Sequence, residues 1–419
     1  MVPNLLEDQE RADIIMQENQ AEVTGGVDTH KQVHVAAVVN PLGVVLGTSS
    51  FPVTTTGYQT LLSWMESFGR VVRVGVEGTG SYGAGLNRYL TAKGVTVIEV
   101  NRPNRQTRRR YGKSDTVDAQ AAARAALNRD ATGTPKTGTG TVEGLRALRI
   151  ARQSAVKAAT QVTNQIRDLI VTAPDELRSK LIDLETDERI KVCAQFRIND
   201  THTVLNATKR ALRSLARRYN HLAEEISELD HANHSAVISL NPALLGAHGV
   251  GPDVAAALLI AAGDNPHRMR NEASFAALCG TSPIEASSGK IVRHRLNRGG
   301  NRDANNAMWR IVITRKRHDP KTRAYVARRQ TEKKTDREIV RCLKRYVIRE
   351  IFRLLTNPPT IPTGNELRTL RTAKGYTLTA AAKQLNSYPN RLSDLERDVT
   401  HNNQLAIKYH HWLTTQTAA

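Results

Sequence analysis

Cysteine is scarce in this chain. The three present, Cys193, Cys279 and Cys342, lie far apart and form no CxxC pair. That spacing argues against a disulfide framework and a thiolate zinc site, and it suits a reducing cytoplasm. Long apolar runs are missing too, since none approaches the roughly 18 residues a membrane helix needs. The opening segment MVPNLLEDQERADIIMQENQAE is acidic and has no apolar centre, so it does not read as a signal peptide. No internal repeat is visible. The expectation is a soluble cytoplasmic protein.

Acid is the other shortage. Against 60 Lys and Arg stand only 40 Asp and Glu, a formal net charge of +20 with a pI near 10.1. Such an excess favours polyanions, because each neutralised phosphate releases condensed counterions. A ribosomal or membrane-surface protein carries similar charge, so the balance restricts the partner class and nothing finer. With 419 residues there is room for two or three domains, each with its own core.

What is present first is β-rich. Val23–Asp28, Val33–Asn40 and Val44–Ser49 read as an antiparallel meander with a turn at Asn40-Pro41-Leu42-Gly43. A helix follows at Gly57–Phe68, where Leu61, Leu62 and Met65 recur at helical spacing. Then come a strand at Val71–Glu77, a helix at Tyr82–Ala92, a strand at Val95–Val100 and a helix over about Asp115–Leu127. The order βββαβαβα predicts a ribonuclease-H-type α/β domain over 23–132, behind a leader at 1–22. Gly133–Gly140 reads as a flexible break. The stretch 142–235, nearly free of Gly and Pro, predicts two long amphipathic helices joined by irregular chain, a coiled-coil-like dimerisation arm. A basic helical domain at 241–355, a Pro-rich linker at 356–364 and a small helical tail at 365–413 complete the chain.

Four acids stand out: Asp28 in GVDTHK, Glu77 in VGVEGTGSYG, and Asp115 and Asp118 in KSDTVDA. Asp28 and Glu77 each close an apolar strand, where an unpaired carboxylate is costly. Asp115 and Asp118, three apart, share one helix face. Convergence of strand ends and helix start would give the cluster of hard oxygens that phosphoryl transfer needs around divalent ions. A helix cap and turn residues explain the same acids in blander terms. Between them, NRPNRQTRRRYGK supplies Arg102, Arg105, Arg108, Arg109, Arg110 and Lys113 without an acid. It reads either as a solvated loop or as a contact to phosphates.

Further on, LLGAHGVGPDVAA resembles a helix-hairpin-helix element, in which backbone N–H groups approach a phosphate ahead of a helix, and it fits an ordinary tight helix turn equally well. TSPIEASSGK precedes Arg293, Arg295, Arg298 and Arg302. A serine hydroxyl needs activation to act as a nucleophile, and arginines stabilise charge growing on a phosphate. Taken alone, Ser288 is as readily a turn serine beside Gly289.

Taken in order, GVDTHK, VEGTGSYG, the Arg-rich loop before KSDTVDA, GVGP, and PIEASSGK with NRGGNRDANNAMWR resemble transposases of insertion-sequence family 110, relatives of the Piv DNA invertase. The resemblance covers about Val23 to Leu355. It implies a RuvC-like domain whose DEDD metal ligands are Asp28, Glu77, Asp115 and Asp118, with Mg²⁺ or Mn²⁺ as cofactor. It also implies a catalytic serine in P-x-x-x-x-S-G context, Ser288 by count from Pro283, with Ser287 the alternative one register away. The implied reaction cuts and rejoins donor and target DNA through a phosphoserine intermediate in a homo-oligomer. A structured noncoding bridge RNA would guide it, and the setting would be the bacterial nucleoid.

The tail departs from that pattern. TLTAAAKQLNSYPNRLSDLERD looks like a phage-repressor-type helix-turn-helix. Ala381 and Leu385 pack its first helix, Asn386 takes the turn, Leu392 and Leu395 seat the second helix, and Ser387, Asn390 and Arg391 face a major groove. A small protein-interaction module fits the same pattern. Two readings compete with the transposase as a whole: a RuvC-like metal nuclease with no covalent step, and a non-catalytic DNA-binding regulator.

Overall fold

Valine-rich segments, stiff at Cβ and suited to a pleated surface, build the first strands. In the computed structural model, residues 21–100, 114–199, 202–289, 294–297, 299–400 and 402–415 are described. Two units result. One runs to Gly140 and includes Ala262–Arg270; the other holds Thr141–Ala261 and the chain from Asn271 onward.

The first unit is built on a five-stranded mixed sheet. β1 (Glu22–Thr29), β2 (Val33–Val39) and β3 (Val45–Pro52) form the antiparallel meander, and β4 (Arg70–Glu77) and β5 (Thr96–Val100) add in parallel beyond β1. The order is β3-β2-β1-β4-β5, as in a ribonuclease-H-like α/β domain. Asn40 closes the first turn, its side-chain oxygen accepting from the N–H groups of Leu42 and Val44. Parallel neighbours need crossovers, which α1 (Thr55–Glu66) and α2 (Ala84–Ala92) provide.

Strand alternation divides the work between two faces. Val23, Val27, Val74 and Val76 pack with Leu61, Leu62, Met65, Leu86 and Leu90 on the α1 and α2 side. The other face carries α3 (Asp115–Leu127), whose Ala119, Ala122, Ala123 and Ala126 are buried. Two strand glycines allow this helix to lie close. A Cβ at Gly26 would sit 2.1 Å from the Ala123 nitrogen, and one at Gly75 2.5 Å from the Ala122 oxygen. The break after α3 is anchored rather than loose. Arg270, Arg268 and Asn265 donate to the carbonyls of Thr132, Thr134 and Pro135, and Asn87 donates to that of Lys136.

In the second unit, α4 (Thr141–Val171) and α7 (Val204–Leu240) pack along one another. On α4, Val142, Leu145, Arg149, Ala155, Ala159, Val162, Ile166 and Ile170 form a buried stripe. The chain between them is not irregular throughout, as the sequence suggested. It folds into α5 (Asp175–Leu181) and α6 (Thr186–Ala194), whose Leu177, Leu181, Ile190 and Cys193 join the core of Ile166, Leu212 and Ala216. After α7 come α8 (Pro252–Ala262), α9 (Glu272–Leu278), a two-stranded ribbon of β6 (Ile284–Glu285) and β7 (His294–Arg295), and α10 (Arg302–His318), α11 (Pro320–Thr331) and α12 (Asp336–Thr356). The tail contributes α13 (Gly364–Ala373), α14 (Leu378–Gln384), α15 (Pro389–Glu396) and α16 (Asn403–Thr415) around Leu367, Ala381, Leu392, Tyr409 and Leu413. No helix among the described residues is long and apolar enough to cross a membrane.

Candidate functional site

Asp28 follows Val27 at the C-terminal end of β1. Val27 lies beside Val76 of β4, which places Asp28 and Glu77 side by side at the ends of neighbouring parallel strands. Both lie on the sheet face that α3 covers. The two glycines that admit α3 therefore also set where its first turn, with Asp115 and Asp118, meets the strand end. Ser114 occupies the N-cap position and Asp115 begins the helix. Thr29 Oγ1 donates to the Glu77 carbonyl at 2.7 Å and ties the two strand ends together.

The acids are not equally placed. Asp28 and Asp118 are buried, Glu77 is half-buried and Asp115 is exposed. Burial pushes the Asp28 carboxyl above its ordinary range, the charges of Asp118 and Asp115 push it further, and His30 opposes them. His30 Nε2 stands 3.1 Å from Asp28 Oδ2 and 3.4 Å from Asp115 Oδ1. Donor atoms of Asp28, His30 and Asp115 all lie within 4.8 Å of one another. Sequence reasoning passed over His30, although alternation along an extended strand end puts residues 28 and 30 on one side.

This group suits a divalent cation. Hard carboxylate oxygens gather where the charges of Asp118 and Asp115 oppose ionisation of Asp28 and His30 favours it, and a bound cation would lower that repulsion further. Asp28 and Asp115 bring carboxylate oxygens together for such an ion, with His30 between them. Asp118 reaches Asp28 through its charge, and Glu77 stands at the adjoining strand end.

The serines lie on the second unit. Ser288 and Ser287 follow the short strand β6 and are exposed, and Gly289 takes a left-handed φ of 56° to turn the chain. Both ends of this ribbon are fastened. Asn305 Nδ2 donates to the Cys279 carbonyl at 2.7 Å, and the Asn301 N–H donates to Leu278 at 2.6 Å. At Gly300, φ is 83° and a Cβ would fall 2.6 Å from the Gly280 nitrogen, so only glycine lets the returning chain lie against that turn. Lys344 Nζ donates to Asn305 Oδ1 at 2.8 Å, and burial lowers its pKa. Arg295 and Arg302 are exposed on this ribbon and at the start of α10. Arg293, Arg298 and the basic loop with Arg102, Arg105, Arg108, Arg109, Arg110 and Lys113 lie outside the described residues.

The GVGP segment enters α8 through Gly249 at φ 82°. Ahead of it stands one 3-10 turn, Pro242–Gly246, not the α-helix that a helix-hairpin-helix requires. Pro242 lacks an N–H and ends α7 at Leu240. Within the first turn of α8, Asp253 accepts from Arg149 at 3.1 Å and from Arg310, with Arg152 at 4.0 Å. Burial raises its carboxyl, but the Arg310 hydrogen bond and the three guanidinium charges outweigh burial and hold it below the ordinary value. Arg149 also donates to Asp303 at 3.2 Å, so one buried arginine links α4, α8 and α10.

In the tail, Asn386 adopts φ 49° between α14 and α15, as its place in the turn requires. Ala381, Leu392 and Leu395 are buried, Leu385 packs against them, and Asn390 and Arg391 are exposed on α15.

Comparison with known proteins adds what geometry alone does not. Residues 25–173 match the model of the DEDD transposases of IS110 type, and residues 241–327 match that of the transposase IS116/IS110/IS902 family. The chain belongs to the IS110 family of transposases. A Streptomyces coelicolor protein, described as an insertion element IS110 uncharacterized 43.6 kDa protein, is 32% identical over 117 residues. That stretch is 28% of this chain and 29% of the relative. The two family matches take in the four acids and both serines, and the tail lies beyond them.

Proposed function

We propose that the chain is a DNA transposase that cuts and rejoins strands through Ser288, with Asp28, Glu77, Asp115 and Asp118 as its metal ligands. The observation that carries this reading is the meeting of Asp28 and Asp115, with Asp118 felt by Asp28, at the end of a ribonuclease-H-like sheet in a chain of this family. A divalent cation there, Mg²⁺ or Mn²⁺ by the carboxylate chemistry, would polarise the scissile phosphate.

Ser288 would lose its proton and form an Oγ–P bond while the bond from phosphorus to the 3′ oxygen breaks. The leaving oxygen takes up a proton, giving a phosphoserine–DNA linkage and a free 3′-hydroxyl. The reverse step on a new partner strand reseals the DNA with no external energy source, because the phosphodiester bond energy is kept in the linkage. Arg295 and Arg302, with Arg293 and Arg298, would counter the charge on the transferring phosphate. The basic loop from Arg102 to Lys113 would contact backbone phosphates. Acids and serine belong to different units, so the reaction requires them to meet, and α4 with α7 would supply a contact between protomers for doing so. Donor and target DNA are the substrates. A structured bridge RNA would choose them by base pairing, and the helix-turn-helix-like tail would add contacts through Asn390 and Arg391. The site of action would be the nucleoid.

The test is to trap a denaturation-resistant protein–DNA adduct. It should form with Mg²⁺ or Mn²⁺, vanish on chelation, and vanish in Ser288→Ala. An adduct that survives in the Ser287→Ala/Ser288→Ala double variant would refute the assignment. Metal-dependent cleavage that persists without any adduct would favour the nuclease reading.

A further inference from the structure

We propose that the C-terminal four-helix unit reads base pairs of duplex DNA through α15, giving the protein a sequence preference written in its own side chains. This rests on the nucleic-acid reading above and deepens it. The unit lies outside both family matches, so what it recognises is to be sought in its own geometry.

Local sequence shapes that geometry. Thr377 caps α14 by accepting from the Ala380 N–H, Asn386 makes the left-handed turn, and Pro389 opens α15 with its φ already helical. The second half of α15 is locked inward. Leu392 and Leu395 are buried, and buried Glu396 accepts from Arg371 at 2.7 and 2.8 Å and from the Tyr409 hydroxyl at 2.8 Å. Its C-terminal carbonyls press on α13, where a Cβ at Gly364 would lie 2.5 Å from the Leu395 oxygen. With that end fixed from two helices, the first turn of α15 stands out rigidly. It presents Asn390 and Arg391 beside exposed Tyr388, whose ring centroid is 5.5 Å from the Arg391 guanidinium.

The charges point the same way. All four acids of the unit are engaged by its own groups. Glu366 caps α13, Glu396 holds Arg371, Asp394 accepts from Arg397, and Asp398 accepts from the Gly364 N–H. Exposed Arg368, Lys383, Arg391 and Lys408 form no ion pair among the described residues. A surface whose acids are each held by its own groups, while these four cations stand exposed and unmatched by an acid, fits a phosphate backbone. A rigid helix start bearing Asn and Arg fits the major groove, where Arg pairs with guanine and Asn with adenine in bidentate fashion. Beside Tyr388, whose ring lies against the Arg391 guanidinium, the helix start offers Asn390 and Arg391, a pairing suited to base edges and phosphates.

The experiment is selection of duplexes with a randomised core by the full-length protein, wild type beside Asn390→Ala/Arg391→Ala. Wild type should enrich a short purine-containing motif. The double variant should lose that motif, and its affinity for the motif duplex should fall roughly 30-fold or more, two bidentate contacts being removed, while affinity for an unrelated duplex holds. Arg391→Lys keeps the charge and removes the planar fork, so it should weaken the guanine part of the preference while the adenine part and the general affinity hold; this variant guards against a misfolded double variant. No enriched motif in the wild type, or the same motif in the double variant, overturns the proposal. Failure of the wild type to bind any duplex would instead count against the DNA-acting reading as a whole, which adduct trapping tests separately.

Discussion

His34 shows how far one buried side chain can govern behaviour that composition leaves invisible. It lies on β2 with no exposed surface, stacked on the Tyr58 ring of α1 at 5.8 Å. Burial, with the nearby charge of His30, lowers its pKa from 6.5 to about 4. Between those values the unfolded chain binds more protons than the folded one, so stability is fully present above about pH 6.5 and drains away as the pH falls towards 4. The loss amounts to on the order of 3 kcal/mol by pH 4. His34→Phe should remove this part of the pH slope, which urea unfolding at a series of pH values would detect; an unchanged slope would dismiss the effect. Asp28 makes the complementary point. Its position at a strand end was legible from sequence, as were Asp115 and Asp118 on one helical turn. That His30 sits between Asp28 and Asp115 was not, because the contact depends on where α3 comes to rest.

At the scale of elements, close approach is what places α3. Gly26→Ala would drive a Cβ to 2.1 Å from the backbone nitrogen of Ala123, and backbone cannot yield as a flexible side chain can. Destabilisation of about 3 kcal/mol or more is expected, together with loss of the Asp28–Asp115 approach. Gly80→Ala, where nothing lies within 4 Å of the added atom, should be close to neutral. Denaturant midpoints of the two variants compare them directly, and equal midpoints would contradict the role given to Gly26. The strands and helices of this unit were readable from alternation and helical spacing. Those of the second unit were less so. α5 and α6 offer only two turns of periodicity each, and the two-residue strands of the ribbon offer none, so no local pattern announces them.

Across the whole molecule, charge dominates. A net charge of +20 predicts duplex affinity that falls steeply with salt. With six to ten phosphates neutralised, the loss between 50 and 200 mM salt is roughly 10³- to 10⁵-fold. Fluorescence anisotropy across a salt series measures the slope, and a flat response would mean that phosphates are not the main contact. The sequence by itself determined the excess of positive charge, the β-rich start, the helical remainder, the ordered motifs and the turn at Asn386. Those properties reside in composition and in neighbours along the chain. Only the tertiary structure decided that Gly26 and Gly75 would seat α3, that His30 would stand between two acids, that Arg149 would link three helices, and that Glu396 would brace α15. Each of these joins residues distant in sequence, and such contacts exist only once packing has brought their backbones together.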